Sequence, residues 1–275
     1  MIHPMSRKNR RLSRRSSSSV TGAPAGAAGL IFPSEVRAVE TMRLDKVLCD
    51  LGTAPRSEVK KMIRAGRVCV DGRPVTAPET KIDPSAASIT LDGERLAWKK
   101  YHYYMLNKPA GVLTATEDRR QKTVLDLLTP QLQRMGLFPV GRLDRDTRGL
   151  LLLTDDGDFA HRVISPKFAV EKRYNARVEG IPDEADAAAF AEGLVLGDGT
   201  QCRPARLEIT GTDRCSVTVT EGKYHQVKRM LSSRGKPVVE LKRLSIGALS
   251  LPDDLAEGAF RELDEEDLCR VFMVR

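Results

Sequence analysis

The chain has 275 residues, 41% of them hydrophobic, which is enough length for two small domains and enough apolar content for a buried core. Its net charge of +8 points to a polyanionic partner, while the lack of any run of about 18 apolar residues leaves no candidate transmembrane helix. The cysteines, at 49, 69, 202, 215 and 269, form no C-x-x-C pair and the histidines share no ligand spacing, so neither a disulfide framework nor a zinc site is suggested, and a reducing, intracellular setting fits.

The charge is unevenly spread: +5 over residues 1–41, +4 over 42–100 and −1 over 101–275. Residues 1–41 hold Arg7, Lys8, Arg10, Arg11, Arg14 and Arg15, then four consecutive serines and a Gly/Ala-rich stretch, with no acidic residue before Glu35. Such a segment cannot bury enough apolar surface to fold on its own. The favoured readings are a disordered, nucleic-acid-contacting extension, or a start upstream of a true initiator at Met42. Either goes with a cytoplasmic protein. The alternative is an organellar transit peptide, which shares this composition.

From Met42 the pattern becomes regular. Leu44, Val47, Leu48 and Leu51 predict an amphipathic helix closed by Gly52. A second helix runs from the cap Ser57 through Val59, Met62 and Ile63 to Gly66, with Lys60, Lys61 and Arg64 off its apolar face. Residues 67–75 then alternate around Asp71-Gly72, a hairpin turn signal. Arg43, Lys60, Lys61, Arg64 and Arg67 are the expected phosphate contacts of this compact unit, 42–90. An ordinary solvated helix face is the plainer reading of the same charges. Residues 91–102 read as a linker.

The remainder, 103–275, is read as one domain. Its most informative stretch is Gly141–Gly157, GRLDRDTRGLLLLTDDG. Arg142, Arg145 and Arg148 flank Asp144, and nearby positive charge favours an ionised carboxylate, which can serve as nucleophile or base. The run Leu150–Leu153 is short and bounded by polar turns. A buried strand is favoured there over a buried helical turn, although periodicity alone does not separate them. Thr154–Gly157 turns the chain, and Phe159, Ala160, Val163 and Ile164 mark a helix that Ser165-Pro166 stops. Asp144 would thus sit on a loop entering a buried strand, a rigid mount for a catalytic group. Two plainer readings compete, the first being that Asp commonly caps a helix or closes a turn. The second is a calcium loop, because Asp144, Asp146, Gly149 and Asp155 fall at its positions 1, 3, 6 and 12. Arg148 stands where a ligand should be and the last position lacks its usual Glu, so no metal is expected.

Further on, Lys172-Arg173-Tyr174 opens an alternating stretch to Val178 that reads as a strand, with Tyr174 a core aromatic on pattern alone. Glu221–Met230, EGKYHQVKRM, puts Lys228 and Arg229 on what is ordinarily a solvated helix face or a phosphate contact. His225 is assigned an ordinary hydrogen-bonding role despite its titration near neutrality. Residues 250–275 hold three basic side chains against eight acidic ones, so 101–249 alone is +4 and can present a basic groove. Neither G-x-x-x-x-G-K-[ST] nor G-x-G-x-x-G occurs, so no nucleotide cofactor is expected.

GRLDRDTRGLLLLT resembles the catalytic motif of the RNA pseudouridine synthases, whose essential residue is the Asp of G-R-L-D, here Asp144. Lys172-Arg173-Tyr174 resembles the family's K-x-Y segment, and Glu221–Met230 its late E-G-x-x-H-Q-V-K-R-M motif. The similarity extends from about Tyr103 to Glu262 and includes Leu106-Asn107-Lys108-Pro109-Ala110-Gly111-Val112 at its start. Residues 42–90 resemble the alpha-L RNA-binding domain, also found in a small-subunit ribosomal protein, which precedes the catalytic domain in the Rsu branch of the family.

The resemblance implies an α+β pseudouridine synthase fold on a mostly antiparallel sheet, with the active site in a cleft of that sheet. It implies isomerisation of uridine, with Asp144 as catalytic carboxylate, Tyr174 against the uracil, Lys228 as the basic partner of Asp144 and Arg142 filling the space left by the flipped nucleotide. The reaction needs a base taken out of its stack, but no metal and no redox cofactor. The expected partner is ribosomal RNA or an assembling ribosomal subunit, bound by a monomer. Thr154–Gly157, Ile164–Pro166 and Glu221–His225 most resemble a member acting on one uridine of small-subunit RNA. A large-subunit target, or an RNA-binding assembly factor that has lost the chemistry, stands as the alternative.

Overall fold

The computed structural model describes residues 40–274, so the basic extension expected at 1–41 lies almost wholly outside the described residues. The small N-terminal domain starts with β1 (Met42–Arg43), α1 (Leu44–Asp50) and α2 (Arg56–Arg64). Leu44, Val47 and Leu48 of α1 meet Val59 and Ile63 of α2 in a core completed by Val68 and Ile89, because helical spacing puts these side chains on facing stripes. Ser57 is not the cap of α2. Pro55 takes that position with no side-chain cap bond, its ring setting φ and its carbonyl accepting from the amides of Glu58 and Val59.

β2 (Val68–Val70), β3 (Arg73–Pro74), β4 (Lys81–Ile82), β5 (Ile89–Leu91) and β6 (Glu94–Leu96) follow. β3-β2-β5-β6 form an antiparallel sheet, and β4 pairs with β1. Asp71 and Gly72 both have positive φ, as the expected hairpin turn requires. Asp92 and Gly93 repeat that geometry in a second hairpin. The linker expected at 91–102 is therefore corrected: 91–96 complete the small sheet, and only 97–102 connect.

The second domain contains β7 (Tyr103–Lys108), α3 (Pro130–Arg134), β8 (Phe138–Pro139), β9 (Arg148–Thr154), α4 (Gly157–Ile164), β10 (Lys172–Val178) and α5 (Glu184–Glu192). After them come β11 (Arg206–Gly211), β12 (Arg214–Val219), α6 (Gln226–Ser233), β13 (Val238–Ile246), β14 (Leu249–Ser250), β15 (Phe260–Glu262) and α7 (Glu265–Val271). The sheet order is β11-β12-β10-β13-β9-β7-β15, with β8 also on β9 and β14 on β13. Every pairing of these strands is antiparallel except β9 with β13, which run parallel over two residue pairs. That short junction joins two antiparallel halves.

β9 carries the run Leu150–Leu153. Leu151 and Leu153 pack with Tyr104, Leu106 and Leu137, while Leu150 and Leu152 pack with Met105, Phe159 and Ile246 on the other face. A strand covered on both faces reads as unbroken apolar sequence, which is why the run showed no alternation. Gly149 enters it at φ +100, and a Cβ there would lie 2.2 Å from the carbonyl oxygen of Arg243 on β13. Only glycine permits this approach. At the far end Asp156 caps α4, accepting from the amides of Asp158 and Phe159 at 3.0 Å each.

The two domains touch through α1 and α3. Gln131 Nε2 donates to Leu51 O at 3.1 Å and Arg134 Nε to Gly52 O at 3.0 Å, satisfying carbonyls that the end of α1 leaves without helical partners.

Candidate active site

Asp144 stands on the loop between β8 and β9, and buried hydrogen bonds hold that loop. The fully buried Lys108 donates from Nζ to Pro109 O at 3.0 Å, Arg145 O at 3.2 Å and Thr147 O at 3.0 Å. Thr114 Oγ1 donates to Leu143 O at 2.7 Å, and Gly111 N to Arg145 O at 2.7 Å. The segment following β7 thus clamps the loop on both sides of Asp144. Burial pulls the pKa of Lys108 down to about 8 against the opposing attraction of Asp146 and Asp144. Three carbonyls around one ammonium match its three donors.

The partners of Asp144 come from the turn into α6. Lys228 Nζ lies 3.0 Å from Asp144 Oδ2, and His225 Nε2 lies 3.3 Å from Oδ1. Lys228 lies in the first turn of α6, and His225 is the residue immediately before that helix. Val227, Met230 and Leu231 fix the opposite face in the core. The preceding turn is braced by Gln226, whose Nε2 donates to Glu221 Oε1 at 2.8 Å and whose Oε1 accepts from Lys223 N at 3.0 Å. His225 adopts a left-handed backbone, φ +48, and stacks on Tyr224 with ring centroids 3.8 Å apart.

Lys228 also donates to Asp146 Oδ1 at 2.5 Å. Burial pulls its pKa down, but the hydrogen bonds to Asp146 and Asp144 and the attraction of both carboxylates leave it raised overall. The Lys228 hydrogen bond holds the Asp146 carboxyl below the usual range. The arginine field expected around Asp144 is corrected. Arg145 Nε turns to Gly111 O at 3.3 Å, and Arg148 pairs with Glu257 at 3.1 Å. The side chains that touch Asp144 are Lys228 and His225, far away in sequence. The residues at calcium-loop spacing disperse as well, since Asp155 accepts from the His102 amide at 2.7 Å and faces its Nδ1 at 2.8 Å.

Asp144, Arg142, Tyr174, His225, Lys172 and Arg243 line one cavity of about 770 Å³. Tyr174 is half-buried on β10, and its hydroxyl accepts from Arg243 Nη1 at 3.4 Å. Arg142 is exposed at the cavity edge with no hydrogen bond or ion pair among the described residues. The structure thus assembles Asp144, Lys228, Tyr174 and Arg142 at one place. It adds Arg243, which no motif marked, Lys108 and Lys172, which stand in matched segments but carried no assigned role, and His225, expected only to make an ordinary hydrogen bond.

The small domain treats its expected phosphate contacts unequally. Arg43 is engaged with Asp45 at 2.9 and 3.0 Å, Arg67 with Asp92, and Lys61 with Glu58. Lys60 and Arg64 have no hydrogen bond or ion pair among the described residues, so their charges are available to a ligand.

Comparison with known proteins gives this geometry a family. Residues 102–233 match the RNA pseudouridylate synthase model, and residues 42–87 match the S4 domain. An uncharacterized RNA pseudouridine synthase of Bacillus subtilis is 46% identical over 82% of this chain and 97% of its own. Ribosomal small subunit pseudouridine synthase A of Escherichia coli K12 is 40% identical over 84% of this chain and all of its own (100%). A crystal structure of a pseudouridylate synthase, 37% identical, superimposes with a TM-score of 0.59 over 84% of this chain and 99% of that one. The chain belongs to the RNA pseudouridine synthase family and is a pseudouridine synthase with an N-terminal S4 domain.

Proposed function

We propose that this enzyme isomerises one uridine of small-subunit ribosomal RNA, acting as a monomer, with Asp144 as the catalytic carboxylate. The observation that carries the site assignment is the position of Asp144 at a cavity wall, held by Lys228 and His225 from a separate helix. Lys228, 3.0 Å from Oδ2, orients the carboxylate for attack on the sugar or base, or for removal of a ribose proton. Tyr174 packs against the uracil, and Arg142, with its guanidinium unengaged, fills the gap left in the RNA when the nucleotide flips. The S4 domain grips phosphates through Lys60 and Arg64, while Arg43, Lys61 and Arg67 exchange their carboxylate partners to join them. The small-subunit target is supported by full-length similarity to small-subunit enzymes.

The test is Asp144→Asn as the only copy in the cell, with pseudouridines in both ribosomal RNAs mapped by carbodiimide stops. One stop should vanish from small-subunit RNA. A stop lost from large-subunit RNA moves the target, and loss of none rejects Asp144 as the catalytic group.

A further inference from the structure

Arg243, on β13, is only 3% exposed yet lines the cavity, and its hydrogen bonding is incomplete. Nε donates to Leu150 O at 2.7 Å and Nη1 to the Tyr174 hydroxyl, but Nη2 is buried with no hydrogen-bond partner among the described residues. Buried N–H groups are almost always paired, and one left unpaired is costly. A guanidinium offers only donors, so the missing partner is an acceptor. Lys172 lines the same cavity, with Nζ donating to Val163 O at 3.1 Å and Val170 O at 2.8 Å. The polar partners of these two cations are thus neutral oxygens. Burial first, and the charge of Arg243 second, pull the pKa of Lys172 down to about 8. This part of the cavity suits an uncharged group rich in acceptor oxygens that gains negative charge as it reacts.

We infer that Arg243 Nη2 hydrogen-bonds a carbonyl oxygen of the flipped uracil, both recognising the base and stabilising the charge it acquires. The inference rests on reading the cavity as the uridine pocket. Uracil has carbonyl oxygens at carbons 2 and 4. Cytosine carries an amino donor at carbon 4, which an N–H donor rejects. When the C1′–N1 bond breaks, its electron pair stays with the base and is shared with the carbonyl oxygens. A fixed buried cation then binds the transition state more strongly than the ground state. Turning uracil about its N3–C6 axis exchanges the two carbonyl positions, so one donor holds the base before and after the turn. The new bond joins C1′ to carbon 5; carbon 5 then gives up its proton and N1, left free by the turn, takes one up, which restores the conjugated neutral ring.

The experiment compares wild type, Arg243→Met and Arg243→Lys on target RNA carrying uridine, 2-thiouridine or 4-thiouridine, since sulfur accepts hydrogen bonds weakly. Arg243→Met should slow single-turnover conversion of uridine RNA about 10- to 100-fold, the range for a hydrogen bond from a charged donor. Its affinity for the same RNA with an abasic target should stay within about twofold of wild type. At least one thio substitution should slow wild type and add nothing to the loss in Arg243→Met. Equal thio penalties in wild type and Arg243→Met overturn the inference. If Arg243→Met fails to fold, Arg243→Lys decides, because a full wild-type thio penalty in that variant is equally fatal. Wild type leaving every uridine unconverted would instead remove the pocket reading beneath it.

Discussion

Replacing Gly149 with alanine tests the junction on which the site is built. The new Cβ would meet Arg243 O at 2.2 Å, Arg243 N at 2.9 Å and Arg243 C at 3.0 Å, at a φ of +100. These are backbone atoms of β13, and no flexible side chain can swing away. The left-handed conformation costs alanine roughly 1–2 kcal/mol, and forcing a methyl into a packed site about 1–3 kcal/mol more. A loss of about 2–5 kcal/mol leaves a folded but weakened protein, given the usual stability of ~5–15 kcal/mol. With a urea slope of about 2–3 kcal/mol per molar, the unfolding midpoint should fall by roughly 1–2 M. Gly157→Ala is the control: it lies at the start of α4 with nothing within 4 Å of its Cβ, and should be neutral or slightly stabilising. Turnover by Gly149→Ala should drop even where the protein is fully folded, because Arg243 and the Asp144 loop both shift. Midpoints for the two variants within about 0.2 M of each other would refute the argument.

Three further outcomes are expected. Lys228→Met should lower turnover of bound RNA by about 100-fold or more while leaving RNA affinity nearly intact, as measured by single-turnover kinetics and filter binding. Carboxyl resonances should show Asp146 titrating higher in that variant, since Lys228 is the main cause of its depression; collapse of affinity with preserved turnover would make Lys228 a phosphate contact. For pH, Lys108 and Lys172 are both near 8 in the fold against 10.5 as the ordinary value, so above pH 8 the folded state binds fewer protons than the unfolded state and stability rises with pH. Cys215, pushed up to about 11, and Tyr104, pushed up to about 12, both by burial, oppose that rise at higher pH, where the unfolded state gives up these protons first. Denaturation between about pH 8 and 9 should show the rise, and Lys172→Met should flatten it. In the S4 domain, Lys60→Ala and Arg64→Ala should each reduce the salt dependence of RNA binding by about one phosphate contact, whereas Arg67→Ala, which also frees Asp92, should change it less.

The local elements were legible because they obey short periodicities. The α1–α2 stripes, the Asp71-Gly72 hairpin, the strand at Leu150–Leu153 and the helix stopped at Ser165-Pro166 each depend on residues within a few positions. The Asp92-Gly93 turn carries the same signal as Asp71-Gly72, but within 91–102, a segment whose composition also suits a linker. Asp144, Tyr174 and Lys228 were picked out by their motifs, not by any spacing that reveals chemistry.

The surroundings of Asp144 belonged to the tertiary structure. Arg142, Arg145 and Arg148 flank it in the chain, yet two of them turn to Gly111 and Glu257, while Lys228 and His225 arrive from α6 to take their place. Sequence proximity does not specify side-chain direction on an irregular loop. Direction there follows from the bonds that hold the backbone, supplied by Lys108 and Thr114. By itself the sequence determined the helices, hairpin and buried strand, and the motifs by which the family is recognised. Only the fold decided that Asp144 faces Lys228 and His225, and that Arg243 reaches Tyr174, because strand order and the β9–β13 junction set those contacts.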